Sequence, residues 1–163
     1  MKDSMSLVVF TVDEQQFAMQ LSYVERIVQS VEIQQISMAP DHIIGAVNYH
    51  GMFLPVINLR KLFNLSQRDI ETTDYFMIAE TPKVKMALWI DATDEIITID
   101  SDEIRNADNL MVNSVCIEGL LNLNDGIVLM QDPDKFLTTE QILWFKEALN
   151  GKPFQPEKNG IHS

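Results

Sequence analysis

Apolar residues in this chain come mostly in short runs with strand character. Leu7 to Val12 and Gln16 to Leu21 are rich in β-branched and aromatic residues, and Asp13-Glu14 between them suits a tight turn. From Ser22 onward, Tyr23, Val24 and Ile27 have helix-compatible spacing, which predicts a short helix. Val31 and Ile33 alternate with polar residues while Ile36 falls out of step, which predicts a weaker strand over Val31 to Ile36. Pro40-Asp41 marks a turn or helix start before Ile43-Ile44.

Gly45 to Tyr49 reads as a strand, His50-Gly51 as a turn and Met52 to Ile57 as a returning strand. Pro55 cannot donate to a ladder, so an edge or a bulge is expected there. Leu59 to Phe63 reads as one or two helical turns, and the polar stretch Ser66 to Thr73 as a link between two halves. Further strands are expected at Tyr75 to Ala79, Lys83 to Asp91 (after a Thr81-Pro82 turn) and Glu95 to Asp100, then a polar loop to Asn113. The earlier pattern then returns. Gly119 to Asn124 leads through Asp125-Gly126, a two-residue hairpin signal, into Ile127 to Met130. Both segments run Gly, Asn three residues later, Gly, then an apolar strand, with Leu62-Phe63 or Phe136-Leu137 close behind. Two readings are open: a duplicated β-unit forming two small barrels on one core, or a chance likeness of two hairpins.

A helix is predicted over Thr139 to Leu149. Thr138 with Gln141 fits a capping box and Leu137 with Ile142 a hydrophobic staple. Ile142, Trp144, Phe145, Ala148 and Leu149 share one face at 100° per residue, so the helix is expected to pack on the body. Gly151 and Pro153 are stop signals, and 151–163 is expected to be a mobile tail.

Composition narrows the function. With 12 Lys+Arg against 24 Asp+Glu, the 163 residues carry a net charge of −12 and no basic block. Nucleic acid and anionic membrane surfaces are therefore poor partners. No apolar run approaches the roughly 20 residues of a membrane span, and no secretory signal is evident, so a cytoplasmic protein without direct membrane insertion is expected. Cys116 is the single cysteine and excludes an internal disulfide.

Candidate chemistry adds little. The histidines are His42, His50 and His162, and Cys116 lies in an apolar context where cysteine is usually a small core residue. An EF-hand counted from Asp91 fails, with Ile96 where glycine is needed and Asp102 where glutamate is needed. Asp91 to Glu103 reads instead as a solvated acidic face, and no Gly-rich phosphate loop occurs. The chain offers no catalytic constellation and no cofactor site.

An ordered set of short motifs resembles the CheW-like domain. It comprises Phe10-Thr11-Val12, Phe17-Ala18-Met19, Val24-Glu25-Arg26-Ile27, Ala39-Pro40, Ile44 to Asn48, Gly51 and Leu54 to Arg60. The second half adds Leu88-Trp89-Ile90-Asp91, Asp94-Glu95-Ile96, Ile117-Glu118-Gly119 and Gly126 to Met130. The resemblance covers about residues 6 to 138 and implies a mainly β fold: two five-stranded SH3-like barrels around a shared core, with short helices and a C-terminal helix. It implies one domain over 1–150, with the two barrel subdomains meeting at roughly 66–73 and the chain able to cross between them.

The resemblance also implies a non-enzymatic adaptor without cofactor, coupling a methyl-accepting chemoreceptor to a CheA-type histidine kinase. A divergent module of the same family, serving another sensory or polar-localisation partner, is the alternative. By position, Val24 and Ile27 would line a receptor-facing groove between the barrels, with core packing as their other reading. Asn48, His50, Gly51 and Met52 would form a kinase-facing surface. One departure stands out. The family turn carries Arg before its Gly, whereas this chain reads Asn48-Tyr49-His50-Gly51. Arg brings a permanent charge and a planar five-donor fork; neutral His has one donor and one acceptor.

Overall fold

In the computed structural model, which describes residues 3–106, 116–124 and 126–150, ten strands form two five-stranded sheets. The strands are β1 (Ser4–Val12), β2 (Gln15–Gln20), β3 (Val24–Gln29), β4 (Ile43–Tyr49), β5 (Met52–Ile57), β6 (Tyr75–Glu80), β7 (Lys85–Ile90), β8 (Ala92–Asp100), β9 (Ile117–Leu123) and β10 (Gly126–Gln131). Among the described residues there are also two helices, α1 (Leu59–Leu62) and α2 (Thr139–Leu149), and short 3-10 turns.

The first sheet runs β8-β1-β2-β10-β9 and the second β3-β6-β7-β5-β4. Written as two repeats, β1–β5 and β6–β10, the order explains itself. Each sheet takes the first hairpin of one repeat and the last three strands of the other. The matching details extend to single residues. The hairpins β4–β5 and β9–β10 carry a register shift at the same place, between Ile43 and Gly45 and between Met130 and Gln131. Each sheet has one short parallel ladder, Val56↔Ala87 and Ile57↔Leu88 in one, Leu129↔Phe17 and Met130↔Ala18 in the other. The residue after each glycine makes an isolated bridge, Ala46 with Gln34 and Leu120 with Arg105, which closes each sheet toward a barrel. The segment 66–73 joins the two repeats within the second sheet. The chain changes sheets at the 3-10 turn Leu21–Tyr23 and again after Ile90.

Several expectations need correction. Val24 to Ile27 is strand, not helix. The register shifts between Val24 and Arg26, so Glu25 is an extra residue, and Val24 and Ile27 both face the core three positions apart. That spacing imitates a helical period. Val31 to Ile36 makes only the Gln34 bridge and is a strap, not a strand. Pro55 is on an interior strand. Its position is tolerated because the ladder to β7 begins only at Val56. Gly126 pairs with Leu123 and opens β10 instead of occupying the turn; Asp125 lies outside the described residues. The expected tail 151–163 and the stop signals Gly151 and Pro153 also lie outside them.

Burial follows the two-barrel plan. Phe10, Met19, Met77, Leu88 and Phe136 belong to a core shared by both sheets, while Phe76 and Trp89 fill the second barrel and Leu121 and Val128 the first. Helix α2 starts on its capping box: the Gln141 N–H donates to Thr138 Oγ1 (3.1 Å) and the Thr138 N–H to Gln141 Oε1 (2.9 Å). Its Ile142 reaches the shared core, and Phe145 and Ala148 pack on Ile36 of the strap and Ala46 of β4. Leu149, expected on the buried face, is 41% exposed.

Candidate functional site

Two of the sequence-derived candidates lie on β3, against the core shared by both sheets. Val24 stands opposite Ala79 and Ile27 opposite Met77, and both are half-buried against the shared core beside Leu21 and Tyr23. The other four come together on the tip of the β4–β5 hairpin. Asn48 Oδ1 accepts the Gly51 N–H (2.9 Å), and His50 (φ 53°) and Gly51 (φ 85°) make the turn. Two positive-φ residues give the turn the twist that antiparallel strands need, and Gly51 takes that conformation without steric cost. His50 and Gly51 are exposed, Met52 is 54% exposed, and the His50 ring stands edge-on to Tyr49 with centroids 4.4 Å apart.

The structure therefore does not merge the six residues into one patch. It links the two groups through Glu25, the extra residue of β3. Tyr49 donates its hydroxyl to Glu25 Oε2 (2.9 Å), and Lys85 Nζ lies 2.8 Å from Glu25 Oε1. Lys85 also stands 5.9 Å from the Tyr49 ring centroid. Hydrogen bonds from Lys85 and Tyr49 hold the Glu25 carboxyl below the usual range. Glu25 thus ties the hairpin to the strand that carries Val24 and Ile27. Tyr49 and Glu25 were not among the sequence candidates; only pairing across the barrel reveals them.

Sequence reasoning also missed the polar anchor beneath the second barrel. Arg60 on α1 is almost fully buried and grips Asp91 with two bonds, Nη1 to Oδ1 (2.7 Å) and Nη2 to Oδ2 (2.9 Å). Arg68 grips Asp74 in the same way (2.8 Å and 2.8 Å) and reaches Asp91 at 3.1 Å. Trp89 Nε1 donates to Asp74 (3.0 Å), and both guanidiniums lie over the Trp89 ring, at 5.1 Å and 5.5 Å from its centroid. Burial alone would push both carboxyls up. For Asp74 the bonds from Arg68, Glu71 and Trp89 outweigh it, and for Asp91 those from Arg60 and Asp13, so both lie below the usual range. Asp91 is therefore part of a paired network and not of the solvated acidic face.

Nucleophilic chemistry finds no support in the geometry. Burial pushes the Cys116 thiol up, away from the thiolate. His42 Nε2 is engaged with the Phe136 carbonyl at 3.0 Å. Among the described residues no group of three or more His, Cys, Asp or Glu side chains is placed to hold a metal ion. No helix among them is long and apolar enough to cross a membrane.

The fold thus presents two half-buried side chains against the shared core and, apart from them, an exposed, tightly made hairpin tip. The CheW-like domain profile matches residues 6–141, and the chain belongs to that family. Similar proteins include the chemotaxis protein CheW of Treponema pallidum, 21% identical over 146 residues that cover 86% of each chain. The chemotaxis protein CheW of Bacillus subtilis is 26% identical over 106 residues, covering 65% of this chain and 68% of its own. The crystal structure of the scaffolding protein TtCheW from Thermoanaerobacter tengcongensis matches with a TM-score of 0.72 and 27% identity, covering 81% of this chain and 90% of that one.

Proposed function

We propose that this protein is a non-enzymatic cytoplasmic adaptor of chemotaxis signalling that couples a methyl-accepting chemoreceptor to a CheA-type histidine kinase. The observation that carries the reading is the family match over residues 6–141, borne by a fold with two separate candidate surfaces. An adaptor needs two surfaces that can be occupied together. The β3 pair Val24 and Ile27 takes the receptor. The tip of Asn48, His50, Gly51 and Met52 takes the kinase, with His50 supplying a weaker contact where the family turn carries Arg.

The two surfaces are separated by substitution. Val24→Ser is expected to weaken binding of the receptor's cytoplasmic fragment by about tenfold and to leave kinase binding within about twofold. His50→Arg is expected to alter kinase affinity by at least about threefold, with receptor affinity unchanged. Calorimetric titration of each variant, alongside its melting curve, checks both. Kinase binding unchanged by His50→Arg would remove His50 from the surface. Loss of both affinities in Val24→Ser at unchanged stability would contradict the division of roles.

A further inference from the structure

A cleft of about 290 Å³ lies between β5, the β6–β7 turn and α2, floored by Pro55, Ile142 and Phe145. Its rim combines two features. Three of the chain's exposed large apolar side chains converge there: Met52 at 54%, Phe53 at 37% and Leu149 at 41%. Three lysines, Lys83, Lys85 and Lys146, also line it, and no carboxylate belongs to it, in a chain with 24 acidic residues. Lys85 is shared with Glu25, and Lys83 stands 3.9 Å from Asp134, while Lys146 makes no ion pair among the described residues. The cleft is at the lower bound of small-molecule sites, roughly 300 Å³. An open groove between a helix and a strand is better matched by two or three side chains of a peptide.

We propose that this cleft docks an acidic amphipathic segment of a protein partner, its apolar side chains seated against Phe53 and Leu149 and its carboxylates facing Lys83 and Lys146. Charge complementarity selects this occupant. A second copy of the chain would bring net −12 against net −12, and 151–163 carries more Lys than acid among its side chains. The surface goes beyond the adaptor reading and shares only Met52 with it, so the test uses Lys146 and Leu149.

The probe is a dye-labelled synthetic amphipathic peptide with a leucine face flanked by glutamates, compared with the same peptide flanked by lysines, in anisotropy titrations of the full chain. The glutamate peptide is expected to bind about tenfold tighter than the lysine peptide, with an affinity that falls as salt rises. Lys146→Glu and Leu149→Ser are each expected to weaken it about fivefold or more without moving the melting temperature, since both side chains are at the surface. Equal binding of the two peptides, indifference to both substitutions, or no saturable binding up to about 1 mM would overturn the proposal. Binding only after removal of 151–163 would overturn it in favour of that segment as occupant. Dimerisation abolished by Lys146→Glu would overturn it in favour of a second copy. Receptor and kinase titrations unchanged in Lys146→Glu keep this result separate from the fate of the adaptor reading.

Discussion

Asp91→Ala is expected to destabilise the protein by about 3 kcal/mol, because it leaves the Arg60 guanidinium buried and uncompensated. The Arg60 side chain is 4% exposed and that of Asp91 21%, so neither is freely solvated. Removal of Asp91 strips Arg60 of a two-bond grip, Arg68 of one contact and the Asp13 N–H of its acceptor. Among the described residues, the Ser66 carbonyl is then the acceptor that Arg60 retains. For a chain of this size the melting temperature is expected to fall by roughly 6–12 °C. Asp94→Ala is the control: Asp94 accepts from Thr11 and Gln16 at the exposed rim, and its loss is expected to cost under about 1 kcal/mol. The same network sets the acid limit. Asp74 and Asp91 titrate below their unfolded value of about 3.9, so their contribution is complete above that pH and is lost as pH falls through the depressed folded values. Thermal melts from pH 7 to 3 are therefore expected to show a shallower acid-side fall in Asp91→Ala than in the wild type. Equal costs for Asp91→Ala and Asp94→Ala would contradict the anchoring role.

Gly45→Ala is expected to cost about 3 kcal/mol, and Gly119→Ala about 1, although the two glycines are equivalent in the repeat. A methyl at Gly45 would stand 2.4 Å from the Gln34 carbonyl oxygen and 2.7 Å from Ile33 Cγ2. The carbonyl is main chain and cannot swing aside. It also accepts the Ala46 N–H at 2.8 Å, paired with Gln34 N–H to the Ala46 carbonyl at 2.8 Å. Relief of the clash opens both bonds and lifts the strap, with Ile36, from Phe145 and Ala148 of α2. Overpacking of about 1–3 kcal/mol and about 1 kcal/mol per hydrogen bond give the estimate. At Gly119 the closest atom is Ile104 Cγ2 at 2.5 Å, a side-chain atom and not part of a main-chain bridge, and the Arg105 carbonyl oxygen stays 3.3 Å away. Chemical denaturation of the two variants checks the asymmetry. Equal losses would show that the strap yields as readily as Ile104.

The comparison of glycines also shows how much was legible in the sequence. The Gly45 and Gly119 hairpins, α1, and α2 with its Thr138–Gln141 box follow from local pattern, and the structure has them; the pattern left the duplicated β-unit open against a chance likeness, and the strand order decides for duplication. What escaped depends on partners far along the chain. One extra residue at Glu25 turned a strand into an apparent helix, because a bulge resets the period of two. The strap holds its place through Ala46 and α2 and not through alternation. Each sheet borrows strands from the other repeat, which no contiguous reading shows. At the candidate site, the hairpin tip was visible as a turn with a departure at His50. Tyr49–Glu25 and Arg60–Asp91 were not, since each joins residues 24 and 31 positions apart.

The central claim is that one molecule holds two partners at once, and it is tested most directly by sedimentation of three-component mixtures. The chain, a CheA-type kinase and a chemoreceptor cytoplasmic fragment from the same cells are combined, with the chain present or omitted. The account predicts a complex containing all three that disappears when the chain is left out. Receptor and kinase associating equally well without the chain, or binding it only in mutual exclusion, would contradict it.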